Sequence, residues 1–121
     1  MKSILIVDDD EKVRTMLQQS LEREGYKVLA AGNGEEGLKI FRKNEPDLII
    51  TDLIMPEKEG LETILELRRD YPDIKIIAIS GGGRFNPKYY LDLAEKFGAQ
   101  YTLYKPFERD ELLKAVQDLL G

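Results

Sequence analysis

Carboxylates close two of the apolar runs in this chain. Ile4-Leu5-Ile6-Val7 leads into Asp8-Asp9-Asp10, and Leu48-Ile49-Ile50-Thr51 leads into Asp52. Two further runs end in polar groups: Lys75 to Ile79 leads into Ser80, and Tyr101 to Tyr104 leads into Lys105. An apolar run closed by a carboxylate reads as a buried parallel strand whose C-terminal end opens into a site. Where such ends meet, several carboxylates crowd around one ammonium. That cluster repels itself unless a hard cation sits in it, which implies Mg²⁺ and phosphate. Asp9 and Asp52 are hard oxygen donors of the required kind. A carboxylate held beside Mg²⁺ can attack phosphorus and give an aspartyl phosphate. Such transfer depends on positioning and on neutralising the phosphoryl oxygens. Lys105 offers an ammonium for that task and Ser80 a hydroxyl, while Gly81 and Gly82 permit close backbone approach.

Each feature has a plainer reading when taken singly. A strand-end Asp is commonly a turn former or a helix N-cap, and Asp9 or Asp10 could cap the first helix. A lone Lys is commonly a solvated charge, and Ser80 with three glycines is commonly a flexible loop. These plainer readings weaken jointly. The polar features fall at four strand ends on one sheet edge, the edge where open α/β sheets bind ligands.

The elements that must position them follow from periodicity and punctuation. Ser3 to Val7 reads as a buried strand. Val13, Met16, Leu17 and Leu21 mark a helix face, and Gly25 stops that helix. Lys27 to Ala31 is a second strand. Asn33 followed by Glu36 resembles a capping box, for a helix with Leu38 and Phe41 inward. Pro46 precedes the third strand, Leu48 to Thr51. Gly60 precedes a helix carrying Leu61, Ile64, Leu65 and Arg68, and Tyr71-Pro72-Asp73 ends it. Lys75 to Ser80 is the fourth strand. A helix from about Pro87 to Phe97 has Gly98 on its C-terminal side. Tyr101 to Tyr104 is the fifth strand, and Leu112, Leu113, Val116, Leu119 and Leu120 mark the last helix. Five βα units in this order specify an α/β fold, a five-stranded doubly wound parallel sheet with five helices. The flavodoxin-like order 2-1-3-4-5 makes strands 1 and 3 neighbours and brings Asp8 and Asp9 beside Asp52.

Composition narrows the function. The 121 residues suit one ordinary domain, so residues 1–121 are read as a single unit with no output domain. The formal charge of −5 disfavours direct nucleic-acid contact and an anionic membrane surface. No apolar run approaches the ~20 residues of a membrane span, and the expected compartment is the cytoplasm. Cysteine is absent, which removes thiolate nucleophiles and disulfides. Histidine is absent too, which removes the commonest general base and imidazole–metal sites.

The strings ILIVDDD at 4–10, DLIMPEKEG at 52–60, IIAIS at 76–80, FGA at 97–99 and YKPF at 104–107 carry a resemblance. Together, at these distances, the chain resembles the receiver domain of two-component response regulators over essentially its whole length. The resemblance implies that Asp52 is the phospho-acceptor, taking a phosphoryl group from a phosphohistidine. The donor would be a sensor histidine kinase or a histidine phosphotransferase, and the absence of histidine here agrees with a donor imidazole on a partner. It implies Mg²⁺ bound by Asp9, by Asp8 mainly through water, by Asp52 and by the backbone carbonyl of Ile54. It makes Ser80 the switch hydroxyl and Lys105 the phosphoryl contact, and it makes the Lys105–Pro106 bond cis. The domain would promote its own phosphorylation and dephosphorylation without being an enzyme in the ordinary sense. Output to a downstream protein target would pass through a changed surface around the fourth helix, fifth strand and fifth helix.

Three features depart from that pattern. Thr102 stands where the family often has an aromatic residue coupled to the switch hydroxyl. Tyr101 and Tyr104 lie nearby, and for Tyr101 strand packing is the favoured role. The stretch from Ser80 to Gly98 is a few residues longer than usual, and Arg84 and Phe85 in it are typical interface residues. Neither Ile54 nor Gly82 can orient an attacking water, which predicts a comparatively long-lived phosphate. Rival readings are a haloacid-dehalogenase-like Mg²⁺-dependent phosphatase with Asp8 as nucleophile and Asp10 as general acid, a phosphate-independent pseudo-receiver, and one domain cut from a larger protein. Lys12 is a poor match to the first, which wants Thr or Val there.

Overall fold

The computed structural model describes residues 1–53, 60–80, 87–96 (side chains from 92) and 98–121. Ile54, Gly81, Gly82, Arg84 and Phe85 therefore lie outside the described residues. Strands and helices alternate: β1 (Ser3–Val7), α1 (Glu11–Arg23), β2 (Lys27–Ala31), α2 (Gly34–Asn44), β3 (Leu48–Asp52), α3 (Gly60–Asp70), β4 (Ile76–Ser80), α4 (Pro87–Lys96), β5 (Tyr101–Tyr104) and α5 (Arg109–Leu120). The sheet is parallel throughout, in the order β2-β1-β3-β4-β5. This is the predicted flavodoxin-like order.

The apolar runs form strands because both faces of the sheet are covered. Leu5, Val7, Ile49, Ile76 and Ala78 face one side, packed with Leu38 and Phe41 of α2, Ile64 and Leu67 of α3 and Ala94 of α4. Ile4, Ile6, Leu48, Ile50, Ile77, Ile79 and Leu103 face the other, packed with Leu17 and Leu21 of α1 and with Leu112, Ala115 and Val116 of α5. Burying each large aliphatic side chain contributes about 1.5–3 kcal/mol. α2 lies close on β1 because position 37 is glycine: a Cβ there would stand 2.8 Å from Val7 Cγ2.

Local chemistry sets the helix ends. Asp10 caps α1 by accepting from the Lys12 amide at 2.9 Å, and Gly25 leaves the helix with φ of 91°. Asn33 caps α2 by accepting from the Glu36 amide at 2.8 Å. The expected box is only half made, because Glu36 accepts from Gly32 N instead. Gly98, with φ of 112°, follows α4. Two periodic positions turn out differently from their pattern. Met16 on α1 and Leu65 on α3 are exposed, because the sheet covers a narrower stripe than the apolar residues mark. Thr63 and Gly60 are buried on α3 in their place.

Candidate functional site

Register delivers the polar groups to one place. Val7 pairs with Thr51, Asp52 with Ile79, and Ser80 with Tyr104. Asp8 thus follows β1 level with Asp52, while Ser80 and Lys105 step one residue further along on successive strands. The main chain locks this stagger: Leu53 N donates to Ile79 O at 3.0 Å, and Lys105 N donates to Ser80 O at 2.8 Å.

Asp8 is 1% exposed, Asp52 8% and Ser80 2%, whereas Asp9 is exposed. Burying two carboxylates together needs a counter-charge. Lys105 supplies it, with Nζ 2.9 Å from Asp8 Oδ2 and 2.9 Å from Asp52 Oδ2. Burial works against that ammonium, but hydrogen bonds to Asp52 and Asp8, with their charges, outweigh it and hold its pKa above the ordinary lysine value. Asp8 is also held by its own turn. Its Oδ1 accepts from Asp10 N at 2.9 Å, and its backbone N–H donates to Ala31 O at 3.1 Å.

Asp52 is held from beneath. Thr51 Oγ1 donates to Asp52 O at 3.0 Å, and Gly60 N donates to Leu53 O at 3.0 Å. The start of α3 presses so closely on β3 that a Cβ on Gly60 would fall 2.0 Å from Asp52 O. That contact explains a glycine eight residues after the aspartate. The sequence marked Gly60 as part of a motif, but its role as a spacer needs the packed backbone.

One carboxylate oxygen each from Asp8, Asp9 and Asp52 gathers within a span of 4.8 Å. Mg²⁺ binds oxygens at about 2.1 Å, so its ligands stand at most about 4.2 Å apart. The hard, anionic donor set fits such a cation, and oxygens within 4.8 Å of one another need close by at most about 0.6 Å to share it. Excess negative charge points the same way, with three clustered carboxylates and one ammonium that pairs with two of them. Asp10 caps α1 and is not one of the three clustered carboxylates. The Lys105–Pro106 bond is cis. Beside the site, a cavity of about 560 Å³ is lined by Asp9, Asp10, Val13, Met16, Lys105, Pro106 and Phe107.

The tyrosines divide between faces. Tyr101 and Leu103 belong to the α1–α5 side, so Thr102 and Tyr104 alternate to the other. Tyr101 packs as strand and donates from its hydroxyl to Asp118 Oδ2 at 2.5 Å. It therefore does not stand in for the aromatic missing at Thr102. Tyr104, half exposed, is the tyrosine that pairs in register with Ser80.

Arg14, one turn into α1, lies outside the strand-end motifs. Its Nη1 donates to Asp8 O at 2.7 Å. An arginine one turn into a helix that leaves an acidic strand end can reach back to that end, and this was the available signal.

Residues 4–117 match the family model described as response regulator receiver domain. The chain is 36% identical over 119 residues to the alkaline phosphatase synthesis transcriptional regulatory protein PhoP of Bacillus subtilis, covering 98% of this chain and 48% of PhoP. It is 36% identical to the DNA-binding transcriptional regulator NtrC of Azospirillum brasilense, covering 24% of that protein. The chain thus spans about half, or less, of these curated relatives. Among solved structures, the response regulator TrrA of Thermotoga maritima, in complex with Mg²⁺-BeF, superposes with a TM-score of 0.88 at 40% identity, covering 99% of this chain and all of TrrA. A receiver domain protein of Clostridium thermocellum gives 0.91 at 31% identity, covering 99% and 94%. No helix among the described residues is long and apolar enough to cross a membrane. Fold, strand-end chemistry and these similarities converge: the chain belongs to the receiver domain family of two-component response regulators.

Proposed function

We propose that Asp52 accepts a phosphoryl group from a phosphohistidine on a sensor kinase or histidine phosphotransferase. The observation that carries this is the gathering of Asp8, Asp9 and Asp52 at the sheet's C-terminal edge, with Lys105 Nζ bridging Asp8 and Asp52. In the transfer, an Asp52 oxygen forms a bond to phosphorus while the P–N bond to the donor imidazole breaks. The bonding electron pair stays on the imidazole nitrogen. Asp8, Asp9 and Asp52, with the Ile54 carbonyl, would hold Mg²⁺, which when bound neutralises phosphoryl charge. That TrrA was solved with Mg²⁺-BeF supports this cation. Lys105 is already beside Asp52 and would shift its hydrogen bond to a phosphoryl oxygen. Ser80, at the adjacent strand end, would donate its hydroxyl to the same group.

The donor would dock on the cavity flanked by Val13, Met16 and Phe107, which opens next to Asp9 and Lys105. Phosphorylation would then shift the population of conformations around α4, β5 and α5, the surface read by a downstream protein. Direct contact with DNA has no part in this unit's role, in keeping with its charge of −5. The receiver promotes its own phosphorylation and dephosphorylation, in the cytoplasm.

Incubation with a small acyl phosphate tests the reading by mass spectrometry. One added phosphoryl group is expected with Mg²⁺, none with EDTA, and none in Asp52→Asn. An adduct that persists in Asp52→Asn would move the acceptor elsewhere, and no adduct at all would leave a pseudo-receiver.

A further inference from the structure

We infer that Arg14 is a positioning residue for the metal-binding turn, acting through the Asp8 carbonyl on Asp9. The inference rests on the proposed Mg²⁺ site and adds a residue to it. All four polar groups of Asp8 are engaged: its amide by Ala31 O, Oδ1 by Asp10 N, Oδ2 by Lys105 Nζ, and its carbonyl by Arg14 Nη1. Asp9 differs. Among the described residues its exposed carboxylate accepts no hydrogen bond and joins no ion pair, yet it supplies one of the three clustered oxygens. Its place is set by the backbone alone. The peptide joining Asp8 to Asp9 carries the Asp8 carbonyl, so whatever orients that oxygen orients the start of Asp9.

Arg14 is well placed to do so. It stands one turn into α1, and its own amide donates to Asp10 O at 3.0 Å. The guanidinium is half-buried and passes over Gly32, where a Cβ would stand 3.5 Å from Nη1. The backbone at Gly32 does not have the positive φ that demands glycine. A Cβ there would only touch the guanidinium in ordinary van der Waals contact, so Arg14 lies flush against this turn without requiring glycine. Gly32 N is in turn 3.4 Å from Glu36 Oε2, which ties this turn to α2. Arg14 thus spans the ends of β1 and β2 and the start of α1, and fixes one peptide plane between them.

Charge and position predict opposite signs, which makes the inference testable. A cation near a metal site opposes Mg²⁺ by Coulomb repulsion, so removing it should tighten binding if charge were all it contributed. Loss of an outer partner that orients a ligand weakens binding instead, on the order of tenfold. The full chain is titrated with MgCl₂ while the Asp8, Asp9 and Asp10 amides are followed by NMR. Arg14→Gln should bind Mg²⁺ about tenfold more weakly, with a thermal midpoint in EDTA close to the parent's. Arg14→Lys, a shorter point charge without the planar fork, should fall between the parent and Arg14→Gln. Unchanged or tighter Mg²⁺ binding in Arg14→Gln overturns the inference while leaving the metal site intact. A parent chain that binds no Mg²⁺ overturns the site itself, and the inference with it. Should Arg14→Gln fail to fold, parent-like affinity in Arg14→Lys is the overturning result.

Discussion

The two edges of the sheet use the same residue types for opposite ends. At the N-terminal edge, Asp47 Oδ2 accepts from Ser3 N at 2.8 Å, and Lys75 Nζ donates to Leu119 O at 2.5 Å. One carboxylate and one ammonium stand apart there, each satisfied by main chain. They staple β1 to β3 and hold the end of α5. At the C-terminal edge, three carboxylates converge, and Lys105 pairs with the two that are buried. The first arrangement is complete in itself. The second keeps an excess of negative charge that calls for a cation or a ligand. Acidic residues alone do not distinguish a site from a staple; convergence without full neutralisation does.

Backbone packing gives the sharpest way to break this contrast. Gly60→Ala places a Cβ against Asp52 O, a contact of 2.0 Å that the backbone must relieve by moving. The expected loss is about 3 kcal/mol in urea unfolding, with impaired phosphoryl uptake. Gly25→Ala, far from the site and with open space around it, meets only its positive φ of 91° and should lose about 1 kcal/mol. Equal losses would show that α3 does not brace Asp52.

Next in size is the ammonium itself. Lys105→Met leaves two buried carboxylates without their shared partner. Removing one member of a fully buried pair costs about 3–5 kcal/mol. With the Lys105 side chain 23% exposed, about 2 kcal/mol is expected in EDTA, with Mg²⁺ restoring a large part. Lys75→Met at the other edge should lose about 1 kcal/mol, for one hydrogen bond, with no response to Mg²⁺. Thermal unfolding with and without the metal separates the two edges; an identical Mg²⁺ response in both variants would erase the distinction drawn here.

The smallest effect concerns Tyr101, on the face away from Ser80. Its hydrogen bond to Asp118 holds the phenol's pKa above the ordinary tyrosine value, aided by burial and the carboxylate's charge. The folded state therefore keeps this proton more tightly than the unfolded chain does. The stabilisation is present below the ordinary tyrosine pKa of about 10 and is lost as pH rises through the folded value. Tyr101→Phe should show a shallower fall in stability above about pH 10, with phosphoryl uptake at neutral pH unchanged. A steep fall identical to the parent's would exclude this contribution.

Much of the architecture was legible because local rules and packing agree. Apolar runs closed by Asp8, Asp52, Ser80 and Lys105 became strands ending at one edge, and Asp10, Asn33, Gly25 and Gly98 ended helices as their chemistry prescribes. The misses have a common cause. Met16 and Leu65 have the right period, yet period alone does not say how wide a stripe the sheet will cover. Glu36 turned to Gly32 rather than back to Asn33, a choice between two amides that spacing does not make. Tyr101 found Asp118 seventeen residues away, across two elements.

The sequence by itself determined which groups could do chemistry and that they lie at strand ends, because burial on both faces leaves polar residues no other place. Parallel order then made Asp8 and Asp52 neighbours. Only the tertiary structure decided how they are held. Lys105 is shared equally between two carboxylates, Gly60 yields its side chain to the Asp52 carbonyl, and Arg14 reaches back to the Asp8 carbonyl. These contacts depend on the register and approach of separate elements to within a fraction of an ångström, which residue type and spacing along a chain do not encode locally.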